Sequence, residues 1–209
     1  GFPEPQGSYY CSVGSSNAYG RNFLDKALNN CLKANINVTG TNFEVCPGQM
    51  EIQVCSEGIS AADELIVTRY ILQRTAEDFN YDIDFSSKPV KGDWNGSGCH
   101  VNFSTKKMRE ENGYHHILEA INKLSEKHSE HINLYGNDNH ERLTGKHETS
   151  SINNFTYGVA DRTSSVRIPR TTYIEQKGYL EDRRPSSSCD PYIVNSKIFE
   201  TCCLNIFKN

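Results

Sequence analysis

The chain has 209 residues, 36% hydrophobic and 23% charged, with a formal net charge of −4. That is enough for one large domain with a substantial core. The acidic balance gives no reason to expect nucleic acid as a partner, and no apolar run is long enough to span a bilayer, so no membrane is expected.

The chain begins at Gly1 without an initiator Met, inside what reads as a turn over residues 1–7. No signal peptide is visible there, and such a start is expected for the middle of a longer protein. Arg21 to Ala34 reads as a helix with Leu24, Ala27, Leu28, Cys31 and Leu32 on one face. Ile36 to Val45 and Met50 to Val54 read as strands, split by Cys46-Pro47-Gly48. Ser60 suits the N-cap of a long helix to about Phe79, with Asp63 in the capping-box position and Leu65, Leu72, Ala76 and Phe79 on the apolar face. Val101 to Ser104 reads as a short strand after a glycine-rich turn.

Arg109 to Leu134 contains a further helix marked by Ile117, Ile121, Leu124, His128 and Ile132. Gly136 to Ser151 is polar and reads as a loop. Val166 to Ile168 and Tyr179 to Leu180 read as short strands, and Asp190-Pro191 opens a final helix towards Leu204. Helices and strands alternate without regular βαβ spacing, which predicts an α+β fold, and no linker divides the chain.

The eight cysteines invite a disulfide framework. Against it, the chain is too long to need staples, has no C-x-x-C pair, and places several cysteines at core-like positions. Cys189, Cys202 and Cys203 have no nearby His that suggests a thiol nucleophile. Sequons at Asn37, Asn95, Asn102 and Asn154 read as unmodified asparagines of a cytosolic protein. Gly145-Lys146-His147 resembles the end of a P-loop, but no Ser or Thr follows Lys146, and Gly96-Ser97-Gly98 is a turn without a dinucleotide fingerprint.

Chemistry concentrates in three stretches: Asn42 to Val54 with Glu44 and Glu51, Asn95 to Ser104 with His100, and Gly178 to Ser186 with Glu181. Side chains alternate along a strand, so His100, Asn102 and Ser104 share one face, while Cys99, Val101 and Phe103 share the other. By the same rule Tyr179, Glu181 and Arg183 align, with Leu180 facing away. Asn42 aligns with Glu44, and Glu51 with Gln53, with Pro-Gly-Gln between them arguing for a hairpin. A lone Glu or His on a strand is ordinarily a solvated or hydrogen-bonded residue. Carboxylates plus an imidazole nevertheless suit a hard divalent cation, and Arg142, Arg162, Arg167, Arg170, Arg183 and Arg184 suit phosphate or carboxylate. Together they point to metal-assisted phosphoryl transfer.

The stretches Asn95–His100, Asn102–Gly113, Arg142–Ser150, Ser165–Arg170 and Gly178–Ser186 closely resemble glutamine synthetases of the eukaryotic type, in the family's order, from Gly1 to about Asn205. The resemblance implies the family's α+β catalytic fold, a curved, mostly antiparallel sheet lining the active site with helices on its outer face. It implies that residues 1–209 form a C-terminal catalytic portion. It further implies Glu44 and Glu51 as ligands of one metal, His100 and Glu181 as ligands of a second, and Mg2+ or Mn2+ as the ions. Asn95, Gly96, Arg142, Arg162 and Arg183 would meet glutamate. Glu51, Asn102, Phe103, Ser104, Arg162, Arg167 and Tyr179 would meet ATP. Glu148, Arg162 and Arg167 would be catalytic, with Glu148 on a flap that helps to deprotonate ammonium.

The implied reaction makes glutamine from glutamate, ammonium and ATP through a γ-glutamyl phosphate, in a cytoplasmic homo-oligomer of stacked rings, a decamer, with active sites between subunits. Met50 stands where the family usually has Trp, Asp161 where it has Asn, the loop after Val54 is one residue short, and Ile206 to Asn209 do not match the family's tail. The resemblance also places a small N-terminal β-grasp domain and the first part of the catalytic domain outside these residues. A Glu-x-Glu strand there would give one carboxylate to each metal, and an aspartate would complete the ammonium site from a neighbouring subunit. These 209 residues are accordingly expected to be inactive alone. A non-catalytic assembly protein and a γ-glutamyl-amine ligase are the competing readings. Retention of Glu44, Glu51, His100, Glu148, Arg162 and Glu181 together counts against the first.

Overall fold

A computed structural model describes residues 7–204. The turn expected over the first residues, apart from Gly7, and the tail Ile206–Asn209 lie outside the described residues. Contacts divide the chain into two compact units, one running to Asp84 with Gly92–Trp94, the other comprising Phe85–Lys91 and the chain from Asn95 onward.

In the first unit, helix α1 (Arg21–Lys33) buries Phe23, Leu24, Ala27 and Cys31, one stripe at helical spacing. Strands β1 (Val38–Phe43) and β2 (Met50–Val54) form the expected antiparallel hairpin, with Asn42 opposite Glu51 and Phe43 opposite Met50. Helix α2 (Ile59–Glu77) buries Ala62, Leu72 and Ala76 and is tied to α1 by Asn30 Nδ2, which donates to Thr75 Oγ1 at 2.9 Å, and by an aromatic group of Phe23, Phe79 and Tyr81. The Ser60 cap is corrected. α2 begins at Ile59 after Gly58 with no side-chain cap, and Ser60 is an exposed residue of its first turn. Gly58 has φ +59°, a positive value that glycine adopts without strain, and the helix begins two residues earlier than expected.

The second unit is built on a four-stranded sheet in the order β3 (Val101–Phe103), β6 (Leu180–Asp182), β5 (Val166–Ile168), β4 (Tyr157–Val159). The pairs are antiparallel except β4 and β5, which are parallel. Strands of three residues let the short segment 160–165 make that parallel return, which longer strands would not permit. A short helix α3 (Lys106–Arg109) is capped by Thr105, whose hydroxyl accepts from the Met108 amide at 3.4 Å.

The single expected helix after Arg109 is divided into α4 (Tyr114–Glu126) and α5 (His128–Ile132) by a break at Lys127. α4 lays Ile117, Ala120, Ile121 and Leu124 on Val166, Ile168 and Leu180, which makes the main core. Helix α6 (Arg170–Glu175) was not anticipated. Helix α7 (Pro191–Cys203) starts where expected, with Asp190 accepting from the Tyr192 amide at 2.8 Å and the Ile193 amide at 3.3 Å. α7 adds Val194 and Ile198 to a second cluster with Tyr135 and Cys189. All eight cysteines are free thiols, as the composition argument required.

Candidate active site

The polar face of the second unit gathers around Glu181, at the centre of β6. Asn102 on β3 and Arg167 on β5 stand in register on either side of it. Glu181 is buried. Its Oε1 lies 3.4 Å from His100 Nδ1 and 3.3 Å from Arg183 Nη1, and its Oε2 lies 2.5 Å from Arg167 Nε. Burial acts to raise the carboxyl pKa, but the His100 contact and the charges of His100, Arg183 and Arg167 outweigh it and hold the group at about 2. Glu181 is therefore a carboxylate at every physiological pH. His100 keeps 36% of its side chain open. Loss of water around the rest of the ring holds it below the usual imidazole value, with Glu181 working against that shift and Arg183 with it.

His100 is positioned by the turn before it. The Ser97 amide donates to the Ser87 carbonyl at 2.9 Å, the Cys99 amide donates to the Pro185 carbonyl at 2.9 Å, and Gly98 bridges to Ser186. A Cβ on Gly96 would meet Arg142 Cγ at 2.4 Å and the Ser87 carbonyl oxygen at 2.5 Å, so only glycine fits there.

The loop carrying Glu148 is linked to the same face. Arg162 Nη1 donates to Glu148 Oε1 at 3.3 Å, and Arg183 Nη2 donates to the Glu148 carbonyl at 3.4 Å. His147 and Glu148 have φ of +53° and +58°, a left-handed pair that costs non-glycine residues energy and is held by its surroundings. Two buried atoms here lack an aligned hydrogen bond among the described residues: Glu181 Oε2 and Arg183 Nε. A carboxylate oxygen with remaining acceptor capacity and an arginine donor with no acceptor suit a cation and an anion respectively.

The expected site residues do not all gather in one place. His100, Glu148, Arg162, Arg167, Glu181 and Arg183 come together on one face. Arg142 lies behind them, buried, with Nη2 donating to the carbonyls of Arg183, Arg184 and Pro185 at 3.1, 2.6 and 3.1 Å. Burial and the neighbouring charge of Arg183 lower its pKa to about 10. Phe103 packs on the core and can offer a ligand only its backbone, Ser104 Oγ accepts from Arg109 Nη1 at 2.7 Å, and Tyr179 is exposed. Glu44 and Glu51 belong to the hairpin of the first unit. The Glu44 amide continues the ladder beyond β1 by donating to the Gln49 carbonyl at 2.9 Å, and Glu51 Oε1 accepts from Gln53 Nε2 at 2.5 Å. Among the described residues, no three His, Cys, Asp or Glu side chains gather as a ligand group.

Arg184 is a correction. It does not face the site with Arg183 but turns inward, with Nε and Nη2 on the buried Asp182 at 2.8 and 2.7 Å. Asp182 also accepts from Tyr135 Oη at 2.7 Å, Tyr135 Oη lies 2.5 Å from His131 Nδ1, and His131 Nε2 lies 2.9 Å from Thr201 Oγ1. Because Tyr135 spends its proton on Asp182, His131 Nδ1 is the donor to it and Nε2 accepts from Thr201. Sequence reasoning missed this network. Its one signal was the alternation that puts Asp182 and Arg184 on the face of Leu180. Arg170, also counted among the candidate arginines, is exposed at the start of α6.

The glutamine synthetase catalytic-domain family matches residues 3–204. The chain belongs to that family. It is 55% identical to glutamine synthetase of Homo sapiens over 211 aligned residues, covering 98% of this chain and 56% of the human protein. Glutamine synthetase of Rattus norvegicus is 56% identical with the same coverage. The glutamine synthetase cytosolic isozyme of Medicago sativa is 55% identical over 205 residues, 98% of this chain and 58% of the plant protein. The chain thus spans a little over half the length of these glutamine synthetases. Membership accounts for the α+β architecture around β6.

Proposed function

We propose that the whole protein ligates ammonia to the γ-carboxylate of L-glutamate at the expense of ATP, and that the Glu181 face is part of its active site. The observation that carries this reading is Glu181 held as a carboxylate among His100, Arg167 and Arg183, with Arg183 and Arg162 also reaching Glu148.

In the first step the glutamate γ-carboxylate oxygen attacks the γ-phosphorus of ATP, the bond to the β-phosphate oxygen breaks, and ADP leaves. Arg162 and Arg167 would spread the charge that develops on the transferred group, and Arg183 Nε would hold a glutamate carboxylate. In the second, the ammonia lone pair attacks the acyl carbon and phosphate departs. Glu148 would take the proton that ammonium must lose. The Glu148 loop would keep water from the acyl phosphate, which water would otherwise hydrolyse.

His100 and Glu181 fit a shared divalent cation. Glu181 Oε1 and His100 Nδ1 lie 3.4 Å apart, and a carboxylate beside an imidazole is a donor set that would hold such an ion. Glu181 Oε2 retains acceptor capacity. Glu44 and Glu51 are the candidates for a second ion, and such ions supply neutralisation of phosphate charge when bound. Asn95, Gly96 and Arg142 would shape the glutamate end. Glu51, Asn102, Phe103, Ser104 and Tyr179 would shape the ATP end.

A homo-oligomeric ring and a cytoplasmic location belong to the same reading. The name of the plant relative supports the location. Among the described residues, no helix is long and apolar enough to cross a membrane.

The test supplies the whole protein with ATP, ammonium, magnesium and glutamate labelled with heavy oxygen in its γ-carboxylate. Glutamine should form while one labelled oxygen passes to each phosphate released. Unlabelled phosphate, or no glutamine, would exclude the acyl-phosphate route.

A further inference from the structure

The Glu148 loop is closed at its foot by the Ile152 amide, which donates to the Leu143 carbonyl at 2.9 Å, and by a bridge between Thr144 and Ser151. The Ile152 carbonyl is bound from another element, since it lies 2.8 Å from Nε2 of His128, the first residue of α5. The other nitrogen of that ring, Nδ1, lies 3.1 Å from Arg184 Nη1. A guanidinium only donates. Nδ1 must therefore accept, which leaves the ring proton on Nε2 to bind the carbonyl.

Arg184 has little freedom to move. It forks onto Asp182 and lies between two rings, 5.2 Å from the centre of Tyr135 and 5.1 Å from that of Phe155. Phe155 also meets His128 edge-on at 5.8 Å. Burial keeps the half-buried His128 below the usual imidazole value; the bond to the Ile152 carbonyl and the charge of Asp182 oppose that effect, and the charge of Arg184 adds to it. The neutral ring required by the two hydrogen bonds is thus the form favoured near pH 7.

We propose that His128 is a positioning residue that ties the foot of the Glu148 loop to the end of β6, so that Glu148 is held in register with Glu181 and Arg183. The link consists of Arg184 Nη1 donating to Nδ1 and Nε2 donating to the Ile152 carbonyl. Glu148 lies mid-loop with its backbone in the left-handed region, so its placement depends on where the loop is fixed at its foot. The catalytic consequence rests on the reading of Glu148 given above. A loop that seats poorly would let water reach the acyl phosphate and would bind ammonium weakly.

The experiment compares His128→Leu and His128→Gln with the unaltered whole protein. Leucine removes both hydrogen bonds, whereas glutamine offers one acceptor and one donor at similar spacing. For His128→Leu, phosphate release should exceed glutamine formation and the KM for ammonium should rise about tenfold, while the KM for glutamate stays within about twofold. Amides of residues 143–152 should exchange hydrogen faster while those of α4 do not. His128→Gln should restore coupling. Should the leucine variant fail to fold, His128→Asn, too short to reach Ile152, carries the same expectations. Unchanged loop exchange, unchanged coupling, or a glutamine variant as impaired as the leucine one would overturn the proposal. If the unaltered protein makes no glutamine, the functional reading falls, and loop exchange alone still decides whether His128 holds the loop.

Discussion

Two adjacent residues of β6 serve opposite purposes. Glu181 faces the polar cluster and Asp182 faces the interior, where it is fully buried. Burial works to raise the Asp182 carboxyl pKa, but the charge and hydrogen bonds of Arg184 outweigh it and the group stays below its usual value. A buried ion pair contributes modestly as a pair, but removing one partner leaves an uncompensated charge. Asp182→Ala should therefore lower unfolding free energy by about 3–5 kcal/mol in chemical denaturation. A loss under about 1 kcal/mol would show that Arg184 finds other compensation. Alternation made Tyr179, Glu181 and Arg183 legible as one face. The inward role of Asp182 was not legible, because its partner Tyr135, itself bonded to His131, comes from a segment far away in sequence.

At the scale of elements, what the sequence states locally was readable. The β1–β2 hairpin follows from its turn residues, and α7 follows from Asp190-Pro191. The missed elements are weak local formers. α6 reads Arg-Thr-Thr-Tyr-Ile-Glu, rich in β-branched and aromatic residues, and it depends on its setting more than on propensity. β4 has three residues, one of them glycine, and exists because β5 pairs with it. The network through His131 joins α5, β6 and α7 and makes them jointly acid-sensitive. Burial, then the charge of Arg184, lowers the His131 pKa from the usual 6.5 to about 4. Between those values the unfolded chain binds a proton that the folded one does not. The stability is therefore fully present above pH 6.5 and is lost as pH falls towards 4, by about 3 kcal/mol in total. Thermal midpoints should decline over that interval, and replacing His131 by glutamine should flatten the decline. A midpoint independent of pH from 6.5 to 4 would contradict this account.

For the whole molecule, the family is legible from five ordered stretches, and the matched residues 3–204 bear it out. All eight cysteines are free, as suits a chain long enough to fold without staples. The sequence did not reveal how each arginine is used. Arg142, Arg183 and Arg184 look alike as a basic set, yet one binds backbone carbonyls, one reaches Glu181 and Glu148, and one is locked on Asp182. Those assignments depend on which face of β6 each group meets. The central claim is that Glu181, held as a carboxylate by His100, Arg167 and Arg183, organises an active site. Its most direct test is the rate of glutamine formation from glutamate, ammonium and ATP with magnesium, comparing the whole protein with its Glu181→Ala variant at equal folded concentration. A loss of at least about a hundredfold is predicted. Equal rates in the two proteins would contradict the claim.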